Sequence, residues 1–360
     1  MNAFNTIYQA ERLPVLQNRM FASESEARAC ARGDMRLVQD QTTGIISNQA
    51  FDQSLMRYDA DYQNEQAVSG VFQQHLEDVS EIIWKHFCGK SLIEVGCGKA
   101  HFLERLQKLG FDITGMDPAY EGSNPSILKR YFTSEVGLRA DGLVLRHVLE
   151  HVPHPLDFLN NLREANGGGV IYIEVPCFDW IGSHRSWFDI FYEHVNYFRL
   201  ADFHRMFEKV RESGYIFHGQ YLYVVAELAS LRQPVRDDGD VAALPNDFLD
   251  TISLYANRLK QRNANPRSAS VIWGGASKGV IFSLLMDRAG AKVDMVIDIN
   301  PGKQGKFLAA TGLRVFSPAE AVSALPDGAD IFVMNSNYLD EIRKSTENRF
   351  NYLLVEHDCI

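Results

Sequence analysis

A glycine-rich turn is the first feature of this chain that could do chemistry. The residues EVGCGKA at positions 94–100 follow a short apolar run and precede a segment with helical spacing. Glycines at such a turn let the backbone approach a ligand without Cβ clashes. Asp117 ends the next apolar run, where a carboxylate can accept hydrogen bonds from both ribose hydroxyls of a nucleoside. The spacing predicts a nucleotide-like ligand held by Glu94, Gly96, Gly98 and Asp117.

The acidic residue ahead of the turn favours one class of cofactor. A dinucleotide enzyme would carry GxGxxG here and hold a pyrophosphate at the helix N-terminus. In this chain Glu94 stands two positions before Gly96, and Ala100 ends the run. The pattern favours a sulfonium cofactor, S-adenosylmethionine (SAM), over a diphosphate.

A second segment supports the same cofactor. Residues 146–153, RHVLEHVP, follow a predicted strand and resemble the HxLEH segment of the class I SAM-dependent methyltransferases. The resemblance implies that His147 lines the cofactor and that His151 takes part at the substrate. The alternative is two packed imidazoles in one helical turn after the strand.

Aromatic residues are dense between positions 176 and 207, as in a lid over a substrate pocket. Within this segment FYEHVNYF, residues 191–198, resembles the EHxxYF signature of sugar C-methyltransferases that act on nucleotide-linked keto-deoxysugars. That resemblance implies His194 as general base, Glu193 as its support or as a ligand of a sugar hydroxyl, and substrate contacts from Tyr192 and Tyr197. The family carries tyrosine where this chain has Phe191, which leaves the donors around the ketone open.

The chemistry of such a reaction explains the histidine. A carbon next to a ketone becomes nucleophilic only after losing a proton, and the resulting enolate can attack the methyl sulfonium. Histidine titrates near neutrality and can remove that proton. The transfer depends on alignment and charge, so the scheme requires no metal.

The N-terminal residues resemble the small zinc-binding module that precedes these methyltransferases. Where the family has CxxCG, this chain has DQTTG at 40–44, and Cys30 alone cannot build a four-ligand thiolate site. We therefore expect a module without metal. The stretch YDADYQNEQ at 58–66 resembles the tyrosine-rich segment that closes over the ligands, which implies cofactor contacts from Tyr62 and Gln66 and a substrate contact from Tyr58.

The C-terminal part resembles the appended domain of the same family, through WGGASKG at 273–279 and IDIN at 297–300. Lys278 stands at a predicted helix start beside the glycine turn. Free backbone N–H groups and a cation there predict a site for a substrate diphosphate. The alternative is a domain that only supports the active site.

The elements around these residues predict an α/β fold. Strands and helices alternate from about residue 71 to 175 and a hairpin follows at 215–228, which predicts a doubly wound, Rossmann-like sheet. A second series after about residue 246 predicts another Rossmann-like unit, and a hairpin is expected within 35–48. The predicted domains are residues 1–72, 73–231 and 240–360.

Composition limits the function classes. The 360 residues carry a net charge of −10, which opposes nonspecific nucleic-acid binding. No apolar run is long enough to cross a bilayer, and the first residues lack a signal-peptide pattern, so we expect no membrane association and a cytoplasmic location. Five scattered cysteines without a CxxC pair make disulfides improbable.

Several functions stay open at this point. The first hypothesis is C-methylation of a nucleotide-linked keto sugar. O- or N-methylation of another small metabolite is the alternative, because a cofactor site does not identify the acceptor. A nicotinamide-dependent oxidoreductase would use Asp298 on the ribose, but GGASKG lacks the GxGxxG spacing. A nucleotide-binding protein with a decayed site is the last alternative, and the oligomeric state is open.

Overall fold

The computed structural model describes residues 4–57, 62, 68–264 and 268–356. Its larger sheets are a four-stranded N-terminal sheet, a seven-stranded central sheet and a five-stranded C-terminal sheet. The predicted residues Tyr58 and Gln66 lie outside the described residues, so their roles remain predictions.

The central sheet has the order β11-β12-β9-β8-β5-β6-β7. Its strands are β5 (Ser91–Val95), β6 (Asp112–Met116), β7 (Ile127–Leu128), β8 (Gly142–Arg146), β9 (Val170–Pro176), β11 (Val210–Ile216) and β12 (Tyr221–Glu227). Strands β5 to β9 run parallel, and the β11–β12 hairpin continues the sheet antiparallel to β9. The predicted α/β class with a Rossmann-like parallel sheet is confirmed.

Helices cover both faces of this sheet, because its buried strands alternate apolar side chains between the two faces. Leu92 of β5 packs with the helices α2 (Gly70–Phe87) and α3 (His101–Lys108). Its neighbour Ile93 packs in the core that includes helix α4 (Pro155–Asn166). Because strands β5 to β9 are parallel, their carboxyl ends all lie at one edge of the sheet, where loops can form a ligand site.

The C-terminal sheet is parallel throughout, with the order β16-β14-β13-β17-β18. Its strands are β13 (Ser270–Trp273), β14 (Met295–Ile297), β16 (Val315–Phe316), β17 (Asp330–Val333) and β18 (Asn351–Leu354). The first strand lies at the centre, as in other doubly wound sheets, so the turn after β13 stands at the topological switch point.

The N-terminal sheet contains a long strand that the sequence did not predict. Its strands are β1 (Phe4–Pro14), β3 (Arg32–Asp40), β4 (Ile46–Asn48) and β10 (Asn196–Tyr197). Strands β3 and β4 form the hairpin expected within 35–48. Strand β10 comes from the aromatic segment, so this sheet contacts the segment that carries His194. A further strand pair joins β2 (Met20–Phe21) to β15 (Phe307–Leu308) in the C-terminal part.

The turn at 40–44 is held by hydrogen bonds at the position where the family has zinc ligands. The backbone N–H groups of Thr42 and Thr43 donate to Asp40 Oδ1 at 2.9 and 2.6 Å. These bonds give the turn a fixed shape without thiolates, while the absence of metal stays a prediction.

The remaining helices are short or belong to the C-terminal part. They are α1 (Glu24–Arg28), α5 (Phe178–Ser183), α6 (Leu200–Met206), α7 (Asp250–Asn263), α8 (Lys278–Arg288), α9 (Pro318–Ala324) and α10 (Leu339–Ser345). Among the described helices, none has the length and apolar character needed to span a membrane.

Candidate active site

A cavity of about 430 Å³ lies between the central sheet, the C-terminal sheet and the N-terminal segment. It opens at the ends of β5 and β8 and at the turn after β13, which is where parallel sheets bind ligands. The predicted residues that line it are Tyr62, Glu94, Gly96, Gly98, His147, His151, Glu193, His194 and Lys278. Asp117, Tyr192 and Tyr197 are not among its lining residues.

The glycine turn after β5 has the geometry of a ligand cradle. Gly96 has a φ of +76°, and a Cβ there would stand 2.5 Å from Val148 Cγ2. Gly98 has a φ of +52°. Both positions favour glycine, and the first also requires it for space.

Glu94 offers an unused acceptor in this cradle. Its Oε2 is buried and has no hydrogen-bond partner among the described residues. Burial raises the pKa of Glu94 to about 8, although Arg146 acts in the opposite direction. A buried carboxyl without a partner is costly, so a cation or a hydrogen-bond donor of a ligand fits beside it.

We expect the Glu94→Gln substitution to weaken SAM binding about 10- to 100-fold, because the positive charge of the cofactor favours the ionised carboxyl and an amide cannot ionise. The substitution also changes the pH dependence of stability. A carboxyl with a raised pKa stabilises the fold fully below about pH 4.5 and loses this contribution as pH rises to about 8. Between pH 5 and 8, the melting temperature of the variant, measured without ligand, should therefore decrease less than that of the wild-type protein. The exposed Glu121→Gln variant is the control, and unchanged affinity and slope would contradict this role.

Asp117 lies beside the cradle and shapes it. Its Oδ2 accepts a hydrogen bond from the N–H of Gly98 at 2.8 Å, and its Oδ1 accepts one from Ala119 at 2.8 Å. Both oxygens therefore hold backbone in the described structure. Ribose binding by Asp117 remains a proposal.

Glu174, at the end of β9, is the centre of a buried charge network below the cavity. Its Oε1 lies 2.9 Å from His75 Nε2 and 3.0 Å from His147 Nε2, and Arg146 Nε donates to its Oε2 at 2.9 Å. Burial disfavours the charged form of His147, but its bonds to Glu150 and Glu174 outweigh burial and raise its pKa to about 9. His147 is therefore an imidazolium at neutral pH.

Glu193 is held by the N-terminal segment, not by the imidazole of the next residue. Its Oε2 accepts a hydrogen bond from the Tyr62 hydroxyl at 2.6 Å, and its Oε1 accepts one from the Gln17 N–H at 3.2 Å. Its backbone oxygen lies 2.9 Å from His151 Nδ1. The N–H donor at Nδ1 leaves Nε2 of His151 as an acceptor when the ring is neutral.

His194 is buried but borders the cavity. Its ring centroid lies 4.9 Å from that of His151 and 4.3 Å from that of Phe191, and neither ring nitrogen has a hydrogen bond to a described residue. Burial, with added repulsion from His151 and His147, holds its pKa well below the usual range. His194 is therefore neutral at physiological pH and has a nitrogen lone pair for a proton.

Tyr192 and Tyr197, predicted to contact the substrate, lie outside the lining of the cavity. The Tyr192 hydroxyl accepts a hydrogen bond from the Asp52 N–H at 2.7 Å, and the Tyr197 hydroxyl accepts one from the Phe191 N–H at 2.9 Å. Both side chains are fully buried or nearly so, away from the cavity. They fix the segment that carries His194, and a substrate contact from either residue remains a prediction.

Lys278, predicted to contribute to a diphosphate site, lines the cavity and is paired with two carboxylates. Its Nζ lies 2.7 Å from Glu356 Oε1 and 2.9 Å from Asp189 Oδ2, and it stands 4.9 Å from the centroid of the Trp180 ring. Two buried carboxylates balance its charge. Lys278 therefore joins the aromatic segment to the C-terminal sheet at the cavity wall.

Glu150 lies within the HxLEH segment, and no role was predicted for it. It lines the cavity, its Oε1 lies 3.4 Å from His147 Nδ1, and its buried Oε2 has no hydrogen-bond partner among the described residues. Its i,i+3 spacing from His147 in the turn after β8 was the available signal.

Glu150, His151 and His194 together resemble a set of metal ligands. Their nitrogen and oxygen atoms lie within 4.8 Å of one another, and two histidines with one carboxylate can bind divalent iron. Methyl transfer from a sulfonium depends on alignment and charge and needs no metal, so we assign none to this group.

Comparisons with known proteins agree with the geometry of the cradle. Residues 67–210 match a family model described as a methyltransferase domain. The chain is similar to the C-methyltransferase NovU of Streptomyces niveus, with 24% identity over 292 residues that cover 71% of this chain and 68% of NovU.

Two solved structures are similar at lower identity. The magnesium protoporphyrin IX methyltransferase ChlM from Synechocystis PCC 6803 is 14% identical, covers 44% of this chain and 78% of its own, and has a TM-score of 0.32. A SAM-dependent methyltransferase from Aquifex aeolicus is 15% identical, covers 46% and 100%, and has a TM-score of 0.33.

The matched residues 67–210 contain the glycine cradle, the turn with His147 and the segment with His194. The buried acceptor of Glu94 and the requirement for glycine at position 96 fit a nucleoside cofactor with a positive charge. The chain is a SAM-dependent methyltransferase.

Proposed function

We propose that this protein methylates a carbon next to the ketone of a nucleotide-linked deoxysugar, with His194 as the general base. The observation that carries the proposal is the position of His194, a neutral imidazole at the wall of the cavity that also contains the glycine cradle. The name of NovU as a C-methyltransferase supports transfer to carbon.

The residues of the cradle would hold the cofactor. Glu94 is the acceptor for its positive part, and Gly96 and Gly98 allow its nucleoside to approach the backbone. Bound SAM supplies an electrophilic methyl group. We propose that Asp117 and His147 border the nucleoside from the ends of β6 and β8.

The acceptor would occupy the rest of the cavity, next to His194. A neutral imidazole can take a proton from carbon only if the carbonyl oxygen is stabilised as charge develops on it. His151 and the Tyr62–Glu193 pair lie at the same part of the wall and would position the ketone or the hydroxyls of the sugar. We assign His194 as catalytic and Glu193 and His151 as its neighbours in substrate binding.

The nucleotide part of the acceptor would lie against the wall formed by the C-terminal sheet. Gly274, Ser277 and Tyr338 line the cavity there, and Asn335 Nδ2 donates to Gln220 Oε1 at 2.8 Å across the two sheets. Since Lys278 is already paired, we do not assign the diphosphate to that residue alone.

Calorimetry and mass spectrometry together test this proposal. The purified protein is titrated with S-adenosylhomocysteine and, separately, with NAD, and is then incubated with SAM and a panel of nucleotide-linked keto sugars. We expect binding of S-adenosylhomocysteine and a gain of one methyl mass on a sugar. If other metabolites are methylated but no keto sugar is, the acceptor atom is an oxygen or nitrogen of another metabolite. Binding of NAD alone would exclude the proposal.

Removal of metal ions should leave methyl transfer unchanged, because transfer from a sulfonium depends on alignment and charge and needs no metal. The measurement is the rate after dialysis against EDTA, with added zinc, magnesium or iron(II) in parallel samples. A loss of rate that one of these ions restores would show that a metal takes part.

A further inference from the structure

Glu150 is a buried acid that the proposed reaction does not yet use. It belongs to the turn Leu149–His151 after β8, and its side chain is 2% exposed. Its backbone oxygen accepts a hydrogen bond from the Val195 N–H at 2.8 Å. This bond fixes Glu150 beside the residue that follows His194.

The two carboxylate oxygens of Glu150 have different surroundings. Oε1 lies 3.4 Å from Nδ1 of the His147 imidazolium, which itself lies 3.0 Å from Glu174. Oε2 is buried at the cavity without a hydrogen-bond partner among the described residues. One oxygen is therefore anchored by a fixed positive charge, and the other remains as an acceptor.

The proposed base needs a nearby acceptor of this kind. Each methyl transfer to carbon releases one proton, which His194 takes first, and the resulting imidazolium is buried. The charged or polar groups around it are His151, His147, Glu193 and Glu150, and Glu193 is already bonded to Tyr62 and Gln17. Glu150 Oε2 has no hydrogen-bond partner among the described residues. One carboxylate oxygen of Glu150 lies within 4.8 Å of a ring nitrogen of His151 and of His194. One water molecule can bridge a distance of that size.

We propose that Glu150 stabilises the His194 imidazolium and receives its proton through one water molecule. This inference rests on the proposed function. The C–H bond of the substrate breaks, its electron pair stays on carbon, and an N–H bond forms on His194. That N–H bond then breaks as an O–H bond forms on Glu150, while the water gives one proton and takes one. The proton leaves to solvent when the product departs. Glu150 thus acts through His194 as a positioning residue.

The Glu150→Gln and Glu150→Asp variants test this inference, since glutamine keeps the shape and removes the charge. The first readout uses S-adenosylhomocysteine in place of SAM and follows exchange of the hydrogen next to the ketone with D₂O by NMR. We expect exchange and kcat to fall about 100-fold in Glu150→Gln, with KM and the affinity for S-adenosylhomocysteine unchanged. Glu150→Asp should recover part of the rate. Glu121→Gln, an exposed residue, is the control for a neutral substitution.

The pH profile separates this role from a structural one. Without the negative charge of Glu150 the pKa of His194 falls, so the acid limb of kcat/KM should move to lower pH in Glu150→Gln. Wild-type exchange and kcat in that variant, or a loss of rate with an unmoved acid limb and a lower melting temperature, would overturn the inference. If the wild-type protein exchanges hydrogen in none of the keto sugars, the proposed function fails and this inference fails with it. That result differs from a failure of the inference alone because it appears before any substitution is made.

Discussion

Replacing His194 by glutamine should reduce methyl transfer by about 10²- to 10⁴-fold, the usual contribution of a general base. The amide keeps hydrogen-bonding capacity but cannot take a proton from carbon. The affinity for S-adenosylhomocysteine should stay at the wild-type value, because the cradle with Glu94 and Gly96 lies at another part of the cavity wall. The measurements are single-turnover mass spectrometry for the transfer and calorimetry for the affinity.

A matched control for this variant lies on helix α6. His204 is exposed, and its Nε2 lies 3.1 Å from the Ser213 hydroxyl, far from the cavity lining. His204→Gln should keep full turnover. Full turnover by His194→Gln would remove the assignment of the base.

The Lys278→Met substitution should lower the free energy of unfolding by about 3–5 kcal/mol, the cost of breaking a buried ion pair from one side. Its side chain is 10% exposed, and Glu356 and Asp189 would be left buried without their cation. Methionine keeps the aliphatic volume beside Trp180 and Phe188, so the loss reports the charge. Urea unfolding at neutral pH measures it.

Exposed lysines provide the comparison for this prediction. Lys344 lies on the surface of helix α10, and Lys344→Met should change stability by less than about 0.5 kcal/mol. Equal stability of wild type and Lys278→Met would contradict the role of Lys278 as the ion-paired link at the cavity wall.

The central sheet could be predicted because its strands are short apolar runs bounded by glycine or charged residues. Strands β6 and β8, at 112–116 and 142–146, fall within the stretch where alternating strands and helices were expected. Helix α4 begins at Pro155 and ends before Gly167, which has a φ of +74°. These start and stop signals are local, so one sequence is enough to read them.

Strand β1 could not be predicted, because most of its described side chains are exposed or half-buried. Within residues 5–14, only Tyr8, Leu13 and Pro14 are buried. Its partner, β3, begins 18 residues after β1 ends, and pairing across that separation has no local signature. The predicted domains end at residue 231 and begin again at residue 240, and no contact was predicted at this boundary. Asp240 in fact lies 2.7 Å from Arg199 and 3.0 Å from Arg205, contacts that depend on the tertiary fold.

The same limit applies to the site. Resemblance identified the residue types around His194 but not the directions of their side chains, so Tyr192 and Tyr197 were expected at the substrate and are bonded to the backbone instead. The partners of Lys278 are 89 and 78 residues away in the sequence. The acceptor oxygens of Glu94 and Glu150 became apparent only when every neighbouring donor had been placed.

Carbon NMR can test the claim that the methyl group is transferred to a carbon next to a ketone. The product is formed from SAM labelled with ¹³C in the methyl group and a nucleotide-linked keto-deoxysugar. We predict a labelled methyl signal coupled to the carbon beside the carbonyl. A label attached to oxygen or nitrogen, or no label in any sugar despite binding of S-adenosylhomocysteine, would contradict the claim.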